Sequence, residues 1–276
     1  MESDSQIPEY ALGNTHAEHR RLMRQAERLD PLTERLFREA GIGPGQRVLD
    51  IGSGAGDVAM LAARLVGISG EVVGLERDIR SIHRARARVA AAGLYNVTFT
   101  QCDVSEVASG KQFDAAVGRL ILQFLPSPTD AVRALSRLVR PGGVIAFNEP
   151  SWEPFQVLSA HLPLYSATAS IIHRVFQRCG ANVEMGMSLH QVFQDAGLPI
   201  PTMLLEMVLG NDSGIAQWVY DLFCSLRPQA LQHNLSTESL GNLDTLSQRL
   251  EAEVAASKIP APMVALVGAW SRKPAI

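Results

Sequence analysis

Cysteine is scarce in this 276-residue sequence: only Cys102, Cys179 and Cys224 occur. They are far apart, odd in number and form no Cys-x-x-Cys pair, which argues against a disulfide framework or a structural zinc site. Free thiols in a reducing compartment are the simplest reading. Long apolar runs are missing as well. No stretch approaches the ~18 residues that a membrane-spanning helix needs. Residues 1–10 carry Glu2, Asp4 and Glu9 and lack the apolar segment of a secretory signal. A cytoplasmic protein with no membrane partner is therefore expected. An excess of positive charge is also lacking. The net charge is −3, so a nucleic-acid partner is not expected. Nor does any set of His, Asp and Glu show metal-ligand spacing, so no bound metal is expected.

What remains is the composition of a packed domain: 46% hydrophobic and 19% charged residues, enough to bury a sizeable core. Residues 16–29 read as an amphipathic helix. Asp30-Pro31 reads as the N-cap and first residue of a second helix that ends at Gly41. Short apolar runs then alternate with helical stretches. Strands are expected at 47–51, 71–76, 97–101, 113–118 and 143–148, and helices at 57–66, 79–92 and 129–139. This alternation predicts βαβ units and a parallel sheet, and the near-continuous apolar strands predict cover on both faces. From 150 the alternation lapses. Residues 151–198 are helix-rich, a strand is expected at 202–209, helices near 213–226 and 237–257, and a last apolar run at 263–270.

The informative segment is Val48-Leu49-Asp50-Ile51-Gly52-Ser53-Gly54-Ala55-Gly56-Asp57, at a strand-to-helix turn. Glycines at alternate positions let the chain turn sharply and let a ligand approach closely. The turn lies at the carboxyl end of the first strand, where open α/β sheets bind ligands. The dinucleotide fingerprint Gly-x-Gly-x-x-Gly is not matched, because position 57 is Asp and the third glycine comes one residue early. An acidic residue there opposes a pyrophosphate at the helix N-terminus, so a nicotinamide-dependent oxidoreductase is disfavoured. A zwitterionic amino-acid tail fits better, with Asp50 or a neighbour accepting from its amino group. Glu76, at the tip of the second strand, is placed to accept from a ribose diol. Asp103, after the third strand, is placed to accept from an adenine amine beside Val104.

Together these residues resemble the class I S-adenosylmethionine-dependent methyltransferases, in their small-molecule branch of ubiquinone/menaquinone-type and natural-product enzymes. The stretch Leu138-Val139-Arg140-Pro141-Gly142-Gly143-Val144-Ile145 is similar to the family's approach to the fifth strand. The resemblance covers about residues 10–150. It implies a Rossmann-like, doubly wound seven-stranded sheet with an antiparallel last strand. It further implies a helical lid at 1–41 and a methyltransferase domain at 42–276, with a helical cap near 150–200 and a further helical stretch at 211–257. The implied cofactor is S-adenosyl-L-methionine. Its candidate binding residues are Asp50, Gly52, Ser53, Gly54, Gly56, Glu76, Arg77, Asp103, Val104, Gly118 and Arg119, joined by Tyr10 and Gln25 from the N-terminal segment. Arg119 is the candidate partner of the cofactor carboxylate.

The acceptor is less legible. After the fourth strand stands Gly118-Arg119-Leu120-Ile121-Leu122, unlike the Asn/Asp-Pro-Pro-Tyr of methyltransferases acting on exocyclic nitrogens. Glu149 and His161 are the candidate bases, needed only if the acceptor must lose a proton. Trp152, Phe155, Tyr165 and His173 are candidates for an apolar substrate pocket, although aromatics at helical spacing equally suit a core. The sequence thus points to methyl transfer by in-line displacement to a small, largely apolar metabolite, and leaves a homo-oligomer open. A protein of this fold that binds the cofactor without methylating is the alternative.

Overall fold

The structure is a computed structural model that describes residues 16–103 and 112–275, with side chains from residue 21. It opens with α1 (His16–Glu39), β1 (Arg47–Ile51), α2 (Asp57–Val66), β2 (Glu71–Glu76), α3 (Ile79–Ala91), β3 (Val97–Gln101), β4 (Phe113–Arg119), α4 (Pro128–Leu138) and β5 (Val139–Ser151). There follow α5 (Glu153–Leu158), α6 (Pro163–Arg178), α7 (Met185–Asp195), β6 (Thr202–Glu206), β7 (Leu209–Gly210), α8 (Ser213–Gln232), α9 (Leu246–Ala256), β8 (Ala261–Pro262) and β9 (Ala265–Arg272). The chain divides into two compact units.

Of the described residues, the larger unit holds 25–103, 112–150, 184–206 and 266–275. Its sheet has seven strands, as the family resemblance implies, and their order is β3-β2-β1-β4-β5-β9-β6. β1 pairs in parallel with β2 and β4, and β4 with β5. The Lys273 N–H donates to the Gly143 carbonyl at 2.9 Å, and the Gly142 N–H to the Lys273 carbonyl at 3.0 Å. The end of β9 therefore lies beside the start of β5, and β9 is antiparallel. Strand side chains alternate between two cores. Val48, Val72, Ala115, Val117 and Ala146 meet α1, α2 and α3, whereas Leu49, Ile51, Ala116, Ile145 and Phe147 meet α4 and α7. Helix α7 thus belongs to the sheet rather than to the helical region around it.

The smaller unit contains 151–183 and 207–265, with residues 16–24. Helices α5, α6, α8 and α9 enclose an aromatic interior, and β7 and β8 form a separate antiparallel ribbon. Among the described residues no helix is long and apolar enough to cross a membrane.

Several expected boundaries move. One helix, not two, spans Pro31, because the buried stripe Ala26, Leu29, Thr33, Leu36, Phe37 and Ala40 continues through it. Pro31 itself is exposed, so the carbonyl it leaves unbonded can face water. The strand expected at 202–209 splits at 207–208, because Leu209 and Gly210 pair with Pro262 and Ala261 instead. Gly241, at φ +63°, interrupts the helix expected from 237, leaving α9 to begin at Leu246. The last strand is shifted two residues from 263–270, since the Met263 N–H is used by the Val208 carbonyl.

Candidate functional site

The turn after β1 is built by backbone geometry. Gly52, Gly54 and Gly56 have φ of +62°, +50° and +88°, conformations that a side chain disfavours. The Ser53 N–H reaches the Leu75 carbonyl at 2.9 Å, tying the turn to β2. The three glycines differ in what surrounds them. A Cβ on Gly52 would lie 2.5 Å from Ile121 Cδ1, and one on Gly56 3.1 Å from the Ala85 Cβ, whereas at Gly54 nothing is closer than 4.0 Å. Gly54 alone faces open space.

The Gly54 N–H donates to Glu76 Oε2 at 2.8 Å, while Glu76 Oε1 accepts from the N–H groups of Arg77 and Asp78 at 2.8 and 3.0 Å. Three of roughly four lone-pair positions on this carboxylate are thus in use. Arg77 lies 3.8 Å from Asp103, at the end of β3. Asp57 is not the free anion that its place in the sequence suggests. Arg88 holds it at 2.6 Å and also donates to the Ala55 carbonyl, so the electrostatic argument against a pyrophosphate loses force and the glycine spacing carries it.

Asp50 is 1% exposed. Burial pushes its carboxyl well up, opposed chiefly by the Arg119 guanidinium. Asp50 Oδ2, Ser53 Oγ and Asn148 Oδ1 are buried without a hydrogen-bond partner. All three sit at or just after the carboxyl ends of β1 and β5, where polar groups normally find partners. Arg119, expected to meet a cofactor carboxylate, is committed elsewhere. It donates to Asp30 Oδ1 at 2.9 Å and to Thr33 Oγ1 at 3.0 Å, joining β4 to α1.

Glu149 is fully buried at the end of β5. Its Oε1 accepts from the N–H groups of Ile121 and Leu122, both at 2.9 Å, and its Oε2 from Gln123 at 3.2 Å. Burial pushes its carboxyl up to about 7, against the lowering effect of those three bonds.

The methyltransferase-domain family profile matches residues 42–197 of the chain. The chain belongs to the methyltransferase domain family, in its class I S-adenosylmethionine-dependent form. This methyltransferase-family chain is 34% identical over 116 residues to a ubiquinone/menaquinone biosynthesis C-methyltransferase of Cellvibrio japonicus, covering 40% of this chain and 47% of that protein. It spans about half the length of the curated relatives it matches. A SAM-dependent methyltransferase from Aquifex aeolicus shares the fold at TM-score 0.52 and 18% identity, over 69% of this chain and 93% of that one. So does the [4+2]-cyclase SpnF, at TM-score 0.54 and 17% identity, over 89% of this chain and 80% of that one.

The methyltransferase fold gathers Asp50, Gly52, Ser53, Gly54, Gly56, Glu76, Arg77, Asp103, Gly118 and Arg119 along the carboxyl ends of β1 to β4 and the turns that follow them. Tyr10 and Val104 lie outside the described residues. Gln25 is half-buried on α1. The remaining candidates lie in the smaller unit. The exposed His161 ring lies 3.2 Å from the Ile259 carbonyl. Trp152, Phe155 and Tyr165 are buried, and Phe155 stacks against both Tyr165 and Trp218. The Tyr165 hydroxyl donates to the Pro262 carbonyl at 2.7 Å. His173 lies 5.8 Å from the Trp152 ring. Trp152, Phe155 and Tyr165 thus lie in the packed interior of their unit, and His173 is half-buried beside them. Among the described residues no group of three or more His, Cys, Asp or Glu could hold a metal ion.

Sequence reasoning missed Asp30, Leu120, Ile121 and Asn148. Leu120 has φ +56°, and no sequence signal marks a non-glycine residue in that region. Asn148 was legible as the neighbour of Glu149.

Proposed function

We propose that this chain binds S-adenosylmethionine at the strand ends of its larger unit and transfers the methyl group to a small, largely apolar metabolite. The observation that carries the reading is the pair of partnerless buried atoms, Asp50 Oδ2 and Ser53 Oγ, beside the open Gly54. They are the acceptor and hydroxyl that a zwitterionic tail would use, and a cationic ammonium beside Asp50 would offset the cost of burying its carboxylate. Glu76 has one lone-pair position left for a ribose hydroxyl, and the Gly54 N–H is the group that would release it for a second. Arg77 and Asp103 would border the adenosyl end. The cofactor supplies an electrophilic methyl group on a sulfonium. The chain's own task is then proximity and alignment. Glu149 accepts three backbone N–H groups, which supports a loop-ordering role for its carboxylate.

The likeness to a ubiquinone/menaquinone biosynthesis C-methyltransferase supports a small acceptor. Incubation with methyl-labelled S-adenosylmethionine and a metabolite extract should move label into organic-soluble small molecules. Label in nucleic acid or protein would contradict the acceptor class. A second reading, cofactor binding without methylation, is favoured by the likeness to a cyclase. It predicts S-adenosylhomocysteine binding with no label transferred.

A further inference from the structure

The loop that follows β4 is held in a strained form, and the strain has a visible purpose. Leu120, at φ +56°, occupies a region that L side chains rarely adopt. Its N–H is fixed by the Asn148 carbonyl at 2.8 Å. The next three N–H groups, of Ile121, Leu122 and Gln123, all point at the carboxylate of Glu149. Consecutive residues of β5, Asn148 by its main chain and Glu149 by its side chain, thus set the path of residues 120–123.

That path aims one side chain. Ile121 fills the space that a Cβ would need at Gly52, with Cδ1 and Cγ1 at 2.5 and 2.6 Å from the Cβ position, and also at Gly118, with Cγ2 at 2.9 Å. Ile121 is therefore a wedge between the turn after β1 and the end of β4. Gly52 leaves room for it, and Gly118 leaves room both for it and for the Phe147 ring, whose Cε1 would lie 2.7 Å from a Cβ there.

We propose that Glu149 is a positioning residue for the cofactor turn, acting through the backbone of Ile121, Leu122 and Gln123 to seat the Ile121 side chain against Gly52. The proposal rests on the reading of that turn as an S-adenosylmethionine site. The ionised carboxylate, present as pH rises above about 7, is the group that suits the role, because both its oxygens accept and neither donates, and the titrations below are made above that pH. A glutamine at 149 would turn an N–H toward at least one of the three donors.

The test uses the full chain and three variants, Glu149→Gln, Glu149→Asp and Ile121→Ala. Each is titrated with S-adenosylhomocysteine, and amide exchange is read at residues 120–123. Glu149→Gln is expected to speed exchange at Ile121, Leu122 and Gln123 by roughly tenfold or more and to weaken binding by a similar factor, with β1 and β2 amides unchanged. Glu149→Asp, which keeps the carboxylate, should recover most of both losses. Ile121→Ala should weaken binding while Leu122 and Gln123 stay protected. Wild-type-like exchange in Glu149→Gln overturns the proposal, and so does faster exchange with unchanged affinity. Should Glu149→Gln fail to fold, Ile121→Ala decides, and unchanged affinity there overturns the wedge. A wild-type protein that does not bind S-adenosylhomocysteine overturns the methyltransferase reading itself, and this proposal with it.

Discussion

Arg119 Nη1 donates to Asp30 Oδ1 at 2.9 Å, so the last residue of β4 is fastened to the middle of α1. Arg119 is 7% exposed and Asp30 26%. Breaking a buried ion pair strands a charge and costs about 3–5 kcal/mol. Asp30 is still partly solvated, which lowers the expected loss for Asp30→Ala to about 2–3 kcal/mol. Urea unfolding measures it. A loss below about 0.5 kcal/mol would mean that the pair is worth no more than a surface contact.

Gly52 and Gly54 should respond differently to alanine. Gly52→Ala pushes a methyl group into Ile121 and should destabilise by about 2–4 kcal/mol, combining overpacking with left-handed strain. The double variant Gly52→Ala/Ile121→Ala should recover the overpacking part. Gly54→Ala meets open space, so only strain of about 1–2 kcal/mol is expected. Chemical denaturation of wild type, the three single variants Gly52→Ala, Gly54→Ala and Ile121→Ala, and the double variant tests this, and additive losses in the double variant would remove Ile121 as the cause.

Glu149 makes stability depend on pH in a definite direction. Its carboxyl ordinarily titrates at 4.5 and is raised to about 7 in the fold. The folded protein therefore holds a proton that the unfolded chain has lost between those values. The contribution is fully present below 4.5 and is lost as pH rises through about 7. Its size is about 3 kcal/mol, because each pH step between the two values is worth roughly 1.4 kcal/mol. Wild type should lose stability relative to Glu149→Gln over this window and run parallel to it above. A flat difference between the two would contradict the assignment.

Phe155 is 1% exposed and packs on Tyr165 and Trp218. Phe155→Ala is expected to cost about 3–5 kcal/mol of stability, the usual loss for a large buried aromatic. A variant with undiminished melting temperature but altered acceptor turnover would instead make Phe155 a pocket residue.

Much of the larger unit was legible because its central strands are near-continuous apolar runs, buried on both faces, between clear glycine breaks. The turn from Gly52 to Gly56 and the succession of β1 to β5 along the chain follow from local sequence. Two kinds of feature did not. Pairings between distant segments, such as Asp30 with Arg119 or Arg88 with Asp57, depend on tertiary placement that no local pattern encodes. The aromatics from Trp152 to Tyr165 are equally compatible with a core and a pocket until their neighbours are known. Pro31 was misleading because the apolar stripe of α1 outweighs one lost hydrogen bond.

The most direct test of the central claim is calorimetric titration of S-adenosylhomocysteine into wild type and Glu76→Ala. Glu76 joins Gly54 to the turn after β2 and is the proposed acceptor for the ribose. Loss of its charged hydrogen bonds should weaken binding by about 1.5–3 kcal/mol, or roughly 10- to 150-fold. An equal dissociation constant for both folded proteins, or no binding to either, would contradict the account.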